Sequence, residues 1–240
     1  MSRAARPGVV ETEPPDSLSG EEFARQAEAI VARYPNARSA TLPLMFLVQS
    51  VEGYVTEEGM RRVAGILGLT PAQVLASVSF YTMLKRRPQG EYIVSVCRNI
   101  TCTHLGATDV TAACRDRLGI EPGGTTGDGR FTLETAECLA TCDGAPSLQV
   151  NYEDFLNVGP EEAVALIDRL AAGEEVLSAR GERVQTHKQI SHEVATTALR
   201  VPGGAGDHTA RTIGGEAPRA DTGPGFRPRE PGRRSDADRG

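Results

Sequence analysis

Four of the five cysteines in this 240-residue chain fall into two close pairs. Cys97 and Cys102 enclose Arg-Asn-Ile-Thr; after 35 intervening residues, Cys138 and Cys142 enclose Leu-Ala-Thr. Sulfur at this spacing has three chemical uses: two disulfides, a structural zinc, or an iron-sulfur cluster. Disulfides need an oxidising compartment. The opening Met1-Ser-Arg-Ala-Ala-Arg-Pro-Gly has no apolar segment behind its charges, so the chain is expected to stay in the reducing cytosol. Structural zinc more often takes tighter knuckles such as C-x2-C, although C-x4-C occurs. A binuclear iron-sulfur cluster needs four thiolates on two irons, which two pairs on separate loops can supply. The longer first spacer also leaves backbone N–H groups free to point at sulfur. Spacing alone leaves zinc and iron-sulfur both open.

Other side chains fit a ligand role less well. Cys114 falls on the apolar side of a helical pattern and reads as a buried structural thiol. His104, two residues past Cys102, reads as an exposed residue near a helix start. His187, His192 and His208 fall in a stretch without periodicity and suggest no site. No Ser-His-Asp or Cys-His arrangement can be argued from spacing. The glycine-rich run 121–129 fits neither a P-loop nor G-x-G-x-x-G, so no nucleotide site is expected here.

The elements that must hold the cysteines follow from hydrophobic periodicity. Residues 91–96 alternate Tyr92, Val94 and Val96, a strand delivering Cys97 at its end. Residues 103–118 place Leu105, Val110, Ala113, Cys114 and Leu118 on one side of a helix. Residues 131–136 form a second strand leading to Cys138, 147–151 a third, 152–158 a fourth across a tight turn, and 160–172 a closing helix. Four short helices precede the first cysteine: 20–34, 39–54, one capped by Thr56 and closed by Gly68, and one opening at Thr70-Pro71-Ala72-Gln73 and running toward Leu84. In the third, Met60, Val63, Ile66 and Leu67 form the apolar stripe. The third and fourth have helix-turn-helix dimensions, but the fourth offers Val74, Leu75, Val78, Phe80, Tyr81, Met83 and Leu84, with only Gln73 long and polar. An apolar outward face suits packing or subunit docking better than DNA; a DNA-binding regulator is the weaker alternative. Lys85-Arg86-Arg87 reads as a solvated loop.

These readings give an α+β chain with residues 1–16 disordered, a helical domain over 17–86, a domain of strands and helices over 87–177, and a disordered tail over 178–240. Aromatics are only 5%, so the core is expected to be mainly Leu, Val, Ile and Ala. No apolar run approaches the ~20 residues of a membrane helix. The formal charge is −6, and residues 201–240 carry seven Arg against six acids, leaving −7 on the first 200. An acidic body argues against a nucleic-acid surface.

The run Leu44–Gln49, the segment Phe80-Tyr81-Thr82-Met83, Cys97-x4-Cys102 with Gly106-Ala107 behind it, and Glu137-Cys-Leu-Ala-Thr-Cys-Asp-Gly-Ala-Pro146 followed by Val150-Asn151 resemble one family. It is the thioredoxin-like [2Fe-2S] ferredoxin subunit of NADH:quinone oxidoreductase, respiratory complex I. The resemblance covers about residues 17–175. It implies a thioredoxin-like fold for 87–177, without a C-x-x-C dithiol, and Cys97, Cys102, Cys138 and Cys142 as ligands of one [2Fe-2S] cluster. It implies an electron-transfer subunit whose flavoprotein partner holds FMN and NADH, within a membrane-bound complex that the chain joins peripherally on the cytoplasmic face, without inserting itself. Equivalent subunits occur in NAD-linked hydrogenases and formate dehydrogenases. Pro146 stands where the fold commonly has a cis-proline. With Glu134, Glu137 and Asp143 near the added charge, the reduction potential is expected to lie closer to plant-type ferredoxins than to Rieske centres.

Overall fold

A computed structural model describes residues 14–197, so the expected disorder of 1–13 and 198–240 falls outside the described residues, as does His208. Four helices come first. α1 (Glu21–Val31) buries Phe23, Ala27 and Ile30 on one stripe. A 3-10 turn over Ala37–Ala40 leads into α2 (Thr41–Glu52), which is buried almost all round and ends at Gly53 with φ +81°. α3 (Glu57–Leu67) is capped by Thr56, whose hydroxyl accepts from Gly59 N at 2.9 Å. Its stripe differs from expectation. Ala64 is buried with Val63 and Leu67, while Ile66 is 39% exposed at the edge facing α1. α4 (Pro71–Phe80) starts with the full Thr70–Gln73 capping box but stops four residues earlier than the apolar run suggested, because Tyr81 turns to extended backbone.

The second part is a four-stranded sheet in the order β2-β1-β3-β4. β1 (Tyr92–Cys97) lies parallel to β2 (Phe131–Ala136) and antiparallel to β3 (Leu148–Val150), which pairs antiparallel with β4 (Glu153–Phe155). A parallel neighbour requires a crossover, supplied by α6 (Ala107–Leu118). α7 (Pro160–Ala171) packs beside α6, and Val94, Val96, Leu133, Leu148, Val150, Val110, Leu166, Ile167 and Leu170 close one core. The β3–β4 turn is tight: Asn151 and Tyr152 both have positive φ, +48° and +72°, the backbone that two-residue hairpin loops require.

Two expectations fail here. The single helix over 103–118 is two: α5 (Ile100–His104), one turn long, and α6, separated at Gly106 with φ +103°. Only glycine enters that backbone region readily, so the chain changes direction there, and Leu105, expected inside, is 58% exposed. Residues 178–197, expected to be disordered, carry a tight reversal closed by Val184 N to Val176 O (2.9 Å) and an eighth helix, α8 (His187–Thr197). Val176 and Val184 enter the sheet core, whereas Ala195 enters the core of the first four helices. The segment is a strap, and its low hydrophobicity hid it because it works through polar contacts. Gln49, fully buried on α2, donates to Ser191 Oγ (3.0 Å) and accepts from Lys85 N (2.8 Å); His192 Nε2 meets Gln26 Oε1 at 3.0 Å; Asn151 Nδ2 donates to Gln185 O at 2.7 Å. No single helix among the described residues is long and apolar enough to cross a membrane.

Candidate metal centre

The cysteines sit where the sheet topology brings two strand ends together. Cys97 is the last residue of β1 and is in register with Ala136, the last of the adjacent parallel β2; Cys138 follows two residues on. The parallel pairing delivers both loops to one edge. Cys102 lies within α5, whose first N–H is capped by Asn99 Oδ1 (Ile100 N, 2.9 Å). Because α5 has only five residues, its dipole is small. Cys142 opens a 3-10 turn with Asp143 and Gly144. A side chain at Gly144 would collide with Leu156, its Cβ falling 2.7 Å from that residue's Cβ, so the second loop packs tightly against the chain after β4.

Cys97 and Cys102 are buried, while Cys138 and Cys142 are exposed. Burial pushes the Cys97 thiol above its usual range; N–H groups of Asn99 and Leu139 point at its sulfur and oppose the shift, and the adjacent Cys102 thiol adds to it. Ala140, at φ +60°, turns its N–H onto Cys138 Sγ at 3.3 Å. The two loops are further tied by the Arg98–Glu137 ion pair, with Arg98 Nε 3.0 Å from Glu137 Oε1, and by Arg98 N to Ala136 O at 2.8 Å. The Ala145–Pro146 peptide is cis, as the fold resemblance suggested.

This donor set fits a [2Fe-2S] group. It offers two pairs of soft thiols, one pair per loop, with backbone donors already aimed at sulfur. A tetrahedral zinc knuckle gathers its ligands around a single ion, whereas a binuclear group is spanned by pairs. Cys114 is fully buried in the sheet core, its thiol raised to about 11 by burial, and His104 is exposed. His187 is buried in the strap rather than loose in a tail. The acidic neighbours are partly neutralised: Glu134 pairs with Lys85 (2.7 Å) and accepts from Ser95 Oγ (2.7 Å), and Glu137 pairs with Arg98. Lys85, read as part of a solvated loop, is thus drawn inward, its side chain only 14% exposed. Sequence reasoning missed two residues at the thiols. Ser147 Oγ lies 3.6 Å from Cys102 Sγ and accepts from Thr141 Oγ1 at 2.7 Å. The only signal was a hydroxyl inside the second cysteine pair and another just after Pro146.

The sequence is also similar to known proteins. Residues 27–171 match the family model of the thioredoxin-like [2Fe-2S] ferredoxin. An NADH-quinone oxidoreductase subunit of Mycobacterium tuberculosis is 41% identical over 209 residues, 87% of this chain and 82% of that protein. An NADH-quinone oxidoreductase subunit of Thermus thermophilus is 34% identical over 170 residues, 70% of this chain and 91% of that protein. The crystal structure of a NAD+-reducing [NiFe]-hydrogenase in its H2-reduced state overlaps with a TM-score of 0.49 at 20% identity, over 55% of this chain and 22% of that one, a likeness too slight to bear on function.

Proposed function

The chain belongs to the thioredoxin-like [2Fe-2S] ferredoxin family, and from that premise we propose that it is the electron-transfer subunit of an NADH:quinone oxidoreductase, with Cys97, Cys102, Cys138 and Cys142 as the four ligands. The observation that supports the ligand assignment is the meeting of the two loops, with Cys97 in register with Ala136 and Arg98 of the first loop paired to Glu137 of the second. When bound, a [2Fe-2S] cluster supplies reversible one-electron chemistry. The protein's part is to fix four thiolates, aim N–H groups of Asn99, Leu139 and Ala140 at sulfur, and keep one side open.

That open side supports a reading of where the partner docks. Cys138 and Cys142 are exposed, as are Ile100 (70%) and Leu105 (58%) on either side of Cys102 in the chain, and Leu75, Phe80, Tyr81 and Met83 leave further apolar surface in water. Large apolar side chains left in water next to an electron carrier suit burial by another subunit. NADH gives up two electrons as hydride, so a flavin must divide them. This chain has no dinucleotide fingerprint, and we place FMN and NADH on the flavoprotein that covers this face. In this reading 87–177 carries the cluster, 17–86 supplies part of the docking face, and the assembled complex holds the chain peripherally at the cytoplasmic face of the membrane. The test is co-purification with reconstitution. The chain alone should be reduced by dithionite but not by NADH, and NADH reduction should appear only with the flavoprotein subunit present. Reduction of the pure chain by NADH would overturn the assignment.

A further inference from the structure

The hydroxyls of Thr141 and Ser147 are not explained by folding alone. Ser147 is 2% exposed, at the entry to β3, and its carbonyl accepts Cys97 N at 3.1 Å. Its Oγ has two neighbours: Thr141 Oγ1, which donates to it at 2.7 Å, and Cys102 Sγ at 3.6 Å. A ligating thiolate carries no proton and cannot donate. With Thr141 supplying one hydrogen to Ser147 Oγ, the serine's own hydrogen is free for the sulfur. The backbone of the same serine holds the neighbouring ligand residue Cys97, so its position is set by the sheet, independently of the hydroxyl.

We propose that Ser147 is a positioning residue that tunes the cluster, its hydroxyl donating to the Cys102 sulfur and Thr141 holding that hydroxyl in place. The inference rests on the reading of Cys102 as a cluster ligand. A donor to sulfur stabilises the reduced, more negative state more than the oxidised one, so it raises the reduction potential. It thereby offsets part of the negative charge that Asp143 and the thiolates contribute. Because the contact lies on the buried side of the centre, solvent cannot replace the lost donor at low cost.

The test uses the full chain with its cluster. Iron and acid-labile sulfide are first counted in the wild type and in Ser147→Ala; failure of the wild type to hold a binuclear cluster sinks the ligand reading itself. With both proteins loaded, an EPR-monitored redox titration should show Ser147→Ala with a one-electron reduction equilibrium about tenfold less favourable, which is ~59 mV lower. Thr141→Val should move the potential the same way by less. The reduced wild type should also show an exchangeable proton, by ENDOR in H2O against D2O, that Ser147→Ala lacks. If Ser147→Ala loses its cluster, Thr141→Val and the exchangeable proton decide. An unchanged midpoint in a loaded variant, or no exchangeable proton attributable to the serine, overturns the proposal.

Discussion

Individual side chains divide into those that hold the centre and those that merely lie near it. Of the five cysteines, Cys114 is the control. It is wholly buried and packs in the sheet core. Cys114→Ser should cost about 1–3 kcal/mol, the penalty of a buried hydroxyl without a partner, yet leave iron per chain unchanged. Cys102→Ser or Cys138→Ser should remove or severely deplete the iron. Equal iron loss in all three would mean that the pairs are not the ligands. His187 is a different kind of residue. It is 1% exposed, neither ring nitrogen has a hydrogen-bond partner among the described residues, and burial, with Lys85 nearby and against the pull of Glu134, lowers its pKa to about 4. The unfolded chain takes up that proton near pH 6.5, the folded chain only near 4. The folded state therefore binds fewer protons between these values, and stability falls as pH drops through that window, by up to about 3 kcal/mol. Thermal midpoints from about pH 7.5 to about 4.5, which bracket most of that window, should decline less steeply in His187→Leu; parallel curves would show that the ring carries no such linkage.

Among the elements, the strap explains how the two cores keep one relation to each other. Val176 and Val184 belong to the sheet core and Ala195 to the helical core, while α2 and α8 share the buried Gln49–Ser191 bond. Gln49→Leu leaves Lys85 N and Ser191 Oγ short of a partner, and should destabilise by about 1–3 kcal/mol. A chain ending at residue 177 should melt well below one ending at residue 197, and equal midpoints would contradict the strap. Most elements were legible from the sequence. The Thr70-Pro71-Ala72-Gln73 start, the β-branched run ahead of Cys97 and the short reversal at Asn151 each carry a local chemical cause. What was not legible had non-local causes. α8 lacks an apolar stripe strong enough to announce itself, because buried His187, Ser191, His192 and Thr196 replace part of it, Ser191 and His192 meeting Gln49 and Gln26. The break at Gly106 was masked by apolar residues on both sides, so Leu105 was placed inside. The cysteine pairs could be read from spacing, but the contact of Thr141 with Ser147 depends on a loop closing over a strand, which spacing does not encode.

For the whole molecule, membership of a family of NADH-quinone oxidoreductase subunits and the exposed apolar side chains of Ile100, Leu105, Phe80 and Tyr81 describe a component of a larger assembly. Docking should depend on these side chains. Ile100→Asp or Phe80→Asp should weaken association with the flavoprotein at least tenfold, about 1.4 kcal/mol, while leaving the visible spectrum of the isolated chain intact. Unaltered association would move the interface elsewhere. The measurement that bears most directly on the account is the low-temperature EPR spectrum of the purified, dithionite-reduced chain, taken with iron and acid-labile sulfide counts. A rhombic signal from one spin per chain, with two irons and two sulfides, is the predicted result. A colourless, EPR-silent protein holding one zinc would contradict it and make the cysteine pairs structural.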